Sequence, residues 1–146
     1  MCGIAGILDR AHTFDVQTLE LRTEAMGNSL RHRGPDDDGV WLDHEVGLGF
    51  AHRRLTVIAP TPEGRQPTVS RCQRYVLVFN GEIYNFQDLA RQLTADGHPV
   101  DTSSDTVVLR ESIAFWGVRK TAQALVGMFA FAVFDRKTRT LSLVRD

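Results

Sequence analysis

Strand-length apolar runs and helix-period stretches follow one another along this chain with no regular strand–helix–strand alternation, and that order constrains the fold more than any single residue does. Parallel strands need a crossover of a dozen or more residues between partners, whereas strands joined by short turns pair antiparallel. Residues 40–42 and 46–52 read as paired strands turning at 43–45, and residues 127–134 pair with 140–144 around the charged turn 135–139. Residues 3–9 are apolar almost throughout, as a strand buried on both faces would be. Residues 75–79 are β-branched and aromatic and run directly into NGEIYN at 80–85, which reads as a strand–turn–helix junction. Val16, Leu19, Met26 and Leu30 recur at roughly helical spacing and predict a helix over 15–31. A second helix is expected from an Asn85 N-cap to Ala95, with Asp88 in its first turn and Gly97 as its stop. A third runs from Ser104 to Trp116 before Gly117, and a short fourth spans 120–125. Residues 59–68 hold Pro60, Pro62 and Pro67 and read as a surface excursion. The fold class these elements predict is α+β with mainly antiparallel sheet.

At 146 residues the chain is one domain's worth, long enough for a hydrophobic core. Its net charge of −1 removes the electrostatic reason to expect nucleic acid or an anionic membrane as partner. No apolar run reaches the length of a membrane span, and the N-terminus lacks the basic segment of a signal peptide, so a cytoplasmic location is expected. Cys2 and Cys72 fit a reducing compartment and form neither a disulfide framework nor a metal-ligand set. The run Asp36, Asp37 and Asp38 sits between Pro35 and Gly39, where consecutive carboxylates are usually solvated, and the histidines show no ligand spacing, so no metal site is expected.

Chemistry points first to Cys2. A thiol attacks as thiolate, and an ordinary cysteine is mostly protonated at neutral pH. Trimming of Met1 would give Cys2 its own α-amine, whose pKa of about 7.7–8.0 makes it a general base near neutrality. Nucleophile and base would then share one residue. Taken alone, Cys2 equally fits a small residue that begins a buried strand. An amide carbonyl under attack builds charge on oxygen, which the Asn80 side chain and the Gly81 backbone N–H could stabilise; both are also ordinary turn residues. Arg54 offers a bidentate fork for a carboxylate, while Arg53 beside it is expected to matter much less. Asp105 could hold a substrate ammonium, or simply favour the helix N-terminus it occupies.

In this order MCGIAG (1–6), RHRGPD (31–36), AHRRL (51–55), NGEIYN (80–85), Ser104 with Asp105, GMFAF (127–131) and Val144, Arg145 and Asp146 resemble the class II, N-terminal-nucleophile glutamine amidotransferases. The asparagine synthetase branch is the nearest in pattern, because RHRGPD and NGEIYN differ from the motifs of the sugar-phosphate and phosphoribosyl amidotransferases. The resemblance implies the αββα sandwich of N-terminal-nucleophile hydrolases. It implies that Cys2 forms a γ-glutamyl thioester and releases ammonia, with Asn80 and Gly81 as oxyanion hole. It implies that Arg54 holds the α-carboxylate of glutamine, that Glu82 and Asp105 engage its α-amino group, and that backbone from Leu55 to Ile58 lines the same pocket. No cofactor is implied for the glutaminase part; ATP and Mg2+ belong to a synthetase domain, in cis or trans, and a homodimer is a further partner. The family continues past Arg-Asp with more strands and that ATP-dependent domain, and no phosphate-binding glycine loop stands in 1–146. The expectation is therefore a glutaminase domain, incomplete at its C-terminus, that supplies ammonia for making asparagine from aspartate. Two readings stay open beside it: the same glutaminase serving another acceptor, and a truncated non-catalytic interaction domain.

Overall fold

The structure, a computed structural model, describes residues 2–55 and 64–146. They fall into two compact units, Met1–Thr61 with Arg65–Pro67 and Pro62–Gly64 with Thr68–Asp146. Each is built on one antiparallel sheet, as the pattern of short turns predicts.

In the first unit the strands are β1 (Gly3–Leu8), β2 (Asp37–Asp43) and β3 (Leu48–Arg54), in the order β1-β3-β2. Gly3 stands opposite Arg53, and Asp37 opposite Arg54. Helix α1 (Val16–Ser29) starts at Asp15, whose carboxylate accepts the Thr18 N–H at 2.7 Å and so satisfies one of the donors a helix start leaves unpaired. The helix buries Leu19, Thr23 and Gly27, one face at four-residue spacing. It comes so close to β3 that a Cβ on Gly49 would run into the Thr23 hydroxyl. Two expectations need correcting here. β1 is not buried on both faces: a Cβ on Gly3 would meet Leu30, but Gly6 and Leu8 point the other way and are exposed, Leu8 by 41%. β3 begins two residues later than expected, because Gly47, at φ +70°, extends the turn, and its carbonyl accepts the Asp9 N–H at 2.8 Å.

In the second unit β4 (Thr68–Val69), β5 (Tyr75–Ile83), β6 (Gly127–Asp135) and β7 (Thr140–Arg145) lie in chain order across one sheet. The helices are α2 (Phe86–Ala95), α3 (Asp105–Trp116) and α4 (Val118–Ala124). Tyr75, Leu77 and Phe79 of β5 and Phe129, Phe131 and Val133 of β6 share a core with Leu89 and Leu93 of α2 and Leu109 and Ile113 of α3. Burying each such side chain contributes roughly 1.5–3 kcal/mol. Val76, Val78 and Phe134 point the opposite way and are buried as well, so β5 and the adjoining part of β6 are buried on both faces. Of the expected surface excursion, 59–63 lie outside the described residues, while Gln66 and Thr68 are buried, Thr68 pairing with Leu77 and accepting from Arg110 at 2.8 Å. Asn85 precedes α2 as expected, but its side chain makes no cap bond. The amide turns instead to Ala124 and Val126.

Candidate functional site

In the first unit the RHRGPD loop fastens Cys2. The Arg33 Nε donates to the Cys2 carbonyl at 3.2 Å. The half-buried Cys2 thiol faces the Leu55 carbonyl at 3.9 Å, a long contact suited to a weak S–H donor. Cys2 lies one residue beyond the Gly3–Arg53 pair, which puts it across from Arg54. Asp36 ties the same loop to β3 by donating its N–H to the Arg54 carbonyl at 3.0 Å. Strand pairing and one loop thus bring Cys2, Arg54 and Leu55 together, whereas Ile58 lies outside the described residues. Sequence reasoning gave Arg33 no role. Its motif was visible, but its target is a backbone carbonyl 31 positions away, which leaves no mark in the sequence.

Arg53 is anchored by its neighbours in the first unit. Its side chain is only 12% exposed and pairs with Asp38 at 3.3 Å. Its Nε donates to the Gly27 carbonyl at 3.1 Å and another guanidinium nitrogen donates to Asn28 Oδ1. Asp37 pairs with Arg65 at 3.2 Å, so two carboxylates of the acidic run have arginine partners. A cavity of about 260 Å³ nearby is lined by Glu24, Asn28, Asp38 and Arg53 among others, and not by Cys2 or Arg54.

In the second unit Asn80, Gly81 and Glu82 lie within β5 rather than in a turn. The strand runs on to Ile83 because β6 stays paired with it, Asn80 opposite Ala130, Gly81 opposite Phe129 and Glu82 opposite Met128. Gly81 has φ +154°, and a Cβ there would meet the Met128 carbonyl and stand 2.6 Å from the Phe129 Cα. That backbone approach admits no side chain. The Asn80 Oδ1 is buried without a hydrogen-bond partner among the described residues. Leaving a buried polar group unpaired costs about 1–3 kcal/mol, and turning the amide over would present its N–H2 at the same place.

Asp105, the first residue of α3, holds this strand end from the side. Its Oδ2 accepts the Ile83 N–H at 3.2 Å and its Oδ1 the Thr106 N–H at 2.7 Å. Burial pushes the Asp105 carboxyl above its usual range, the bonds from Ile83 and Thr106 pull it back in part, and the charge of Glu82 adds to the upward push. A half-buried and an exposed carboxylate that feel one another could seat a cationic group. Among the described residues no group of three or more His, Cys, Asp or Glu is placed to hold a metal ion, and no helix is long and apolar enough to cross a membrane.

A family model described as glutamine amidotransferase domain matches residues 1–146. The chain is 39% identical over 150 residues to "Asparagine synthetase [glutamine-hydrolyzing] 3" of Bacillus subtilis (strain 168), an alignment that takes in 100% of this chain and 23% of that protein. It is 36% identical over 146 residues to "Asparagine synthetase [glutamine-hydrolyzing] 1" of the same organism, covering 100% of this chain and 22% of that one. The chain therefore spans about a quarter of the length of these relatives. Among solved structures it is similar to the glutamine phosphoribosylpyrophosphate (PRPP) amidotransferase from B. subtilis complexed with ADP and GMP, with a TM-score of 0.67, 21% identity, and coverage of 99% of this chain and 36% of that one. That likeness shows the fold alone, an α+β fold with antiparallel sheets.

Proposed function

The chain belongs to the glutamine amidotransferase domain family, and on that premise we propose that it hydrolyses glutamine to glutamate and ammonia through a thioester on Cys2. The observation that carries this reading is the grip on Cys2, with its carbonyl held by Arg33 and its thiol beside Leu55. With Met1 removed, the α-amine takes the thiol proton and the sulfur attacks the side-chain amide carbon of glutamine. The carbonyl electron pair moves onto oxygen, where the Asn80 amide and the Gly81 N–H donate to it. As the adduct collapses, the C–N bond breaks, nitrogen takes the proton back and leaves as ammonia. Water then cleaves the thioester to give glutamate and the free thiol.

Arg54 holds the α-carboxylate as a planar fork, and Glu82 with Asp105 holds the α-ammonium. Backbone at Leu55 and Ile58 lines the pocket. In the whole protein the ammonia passes to a synthetase domain that uses ATP and Mg2+ to convert aspartate to asparagine in the cytoplasm. The names of the two B. subtilis relatives favour that acceptor over others. Cys2→Ala should abolish glutamate release from glutamine while leaving the thermal melt unchanged, since Cys2 precedes the first strand. Turnover retained in that variant would sink the proposal.

A further inference from the structure

Asn85 occupies the N-cap position of α2, where a side-chain oxygen normally accepts a backbone N–H of the first turn, yet it makes no such bond. Both ends of its amide are used on another element. The Nδ2 donates to the Ala124 carbonyl at 2.9 Å, and the Oδ1 accepts the Val126 N–H at 3.0 Å. Beside them the Tyr84 N–H donates to the Val126 carbonyl at 2.8 Å. One side chain thereby grips the connection between α4 and β6 on both sides of Leu125.

That connection leads into β6, whose first residues pair with the end of β5, Gly127 with Ile83, Met128 with Glu82 and Phe129 with Gly81. The backbone at Gly81 is pressed against Met128 and Phe129 closely enough to exclude a Cβ. The path of residues 126–129 therefore sets the direction of the Gly81 N–H. Asp105 fixes the same strand end from the α3 side, through Ile83.

We propose that Asn85 is a positioning residue for amide hydrolysis, its side chain fixing residues 124–126 so that β6 holds Gly81 in donor geometry. The inference rests on the reading of Asn80 and Gly81 as oxyanion donors. Its chemical logic is specific to asparagine: the clamp needs one donor for a carbonyl and one acceptor for an N–H. Aspartate keeps the acceptor but presents a charged oxygen to the Ala124 carbonyl. Serine is too short to reach both. Yet serine and aspartate cap helices as well as asparagine does, so they separate the clamp from any role in starting α2.

The test compares Asn85→Asp and Asn85→Ser with the parent chain. The oxyanion exists only in the transition state, so kcat for glutamate release should fall about 10- to 100-fold with KM for glutamine within about twofold. The melting temperature should move little. Amide exchange gives a second readout that needs no activity: Tyr84 and Val126, whose N–H groups lie in the clamp, should exchange at least about tenfold faster in both variants, with Val76 and Val78 unchanged. Parent-like kcat in both variants overturns the positioning role. Unchanged exchange at Tyr84 and Val126 overturns the clamp itself. If the parent chain releases no glutamate, the functional reading fails while exchange still decides whether Asn85 holds this strand end.

Discussion

Arg53 and Arg54 are neighbours on β3 whose side chains leave the sheet on opposite faces, and the difference decides what each can do. Arg53 closes a contact among the end of α1, Asn28 and Asp38, with most of its surface buried. Arg53→Lys cannot serve those three partners from one ammonium, so it should destabilise the chain by about 1–3 kcal/mol, read as a lower urea midpoint. An unchanged midpoint would show that these contacts do not hold the fold together. Asp105 is a different case, because its burial is tied to the proposed chemistry. Its carboxyl lies above the usual range, and only the ionised form attracts an ammonium. As pH is lowered, KM for glutamine should therefore begin to rise earlier than an ordinary aspartate would allow. Asp105→Asn should bind weakly at every pH, with a flat profile. The sign for stability is the reverse: a raised acid favours the fold when protonated and opposes it as pH rises through its folded pKa. A KM that stays flat in the parent chain would remove Asp105 from substrate binding.

At the scale of elements, the turns at one end of the second sheet are joined by charge. Arg74, just before β5, makes two bonds to Asp135 at the end of β6, at 2.8 and 2.6 Å. Asp135 also accepts the N–H groups of Lys137 and Thr138, and these partners lower its carboxyl from 3.8 to about 2. A lowered acid contributes stability that is present above pH 3.8 and is lost as pH falls through about 2. Discounted for the partly exposed Arg74, the contribution is on the order of 1–2 kcal/mol. Asp135→Asn should be less stable by about that amount at pH 7 and should lose less between pH 4 and 2. Parallel stability curves for the two proteins would refute the pairing. This hairpin was plain in the sequence because its turn, 135–139, is charged and its strands are apolar. The extension of β5 through Ile83 was not. Asn80 and Gly81 are turn formers by propensity, and only pairing with β6 keeps them extended. β1 misled in the opposite sense, since an apolar run does not reveal that cover reaches one face alone.

Over the whole molecule, the motifs that suggested the family stretch from Met1 to Asp146, as does the match to the glutamine amidotransferase domain. Local pattern was enough for the α+β class, because antiparallel pairing follows from short connections. The candidate site was legible as residues but not as anchoring. Cys2, Arg54, Asn80, Gly81 and Asp105 could each be named from the chain, whereas the holds of Arg33 on Cys2, Asp105 on Ile83 and Asn85 on the 124–126 connection span 22 to 41 positions. Such contacts obey no sequence period. The hold on Cys2 bears on how a precursor would be matured. The Arg33 bond, the Leu55 contact and the strand pairs that begin at Gly3 all lie on the thiol side of the peptide bond that a methionine aminopeptidase cuts. None of these anchors is spent in the cut. Under the proposed mechanism, trimming would change the basicity of the chain's first nitrogen and leave the sulfur at the same address, so folding and arming would be separate events.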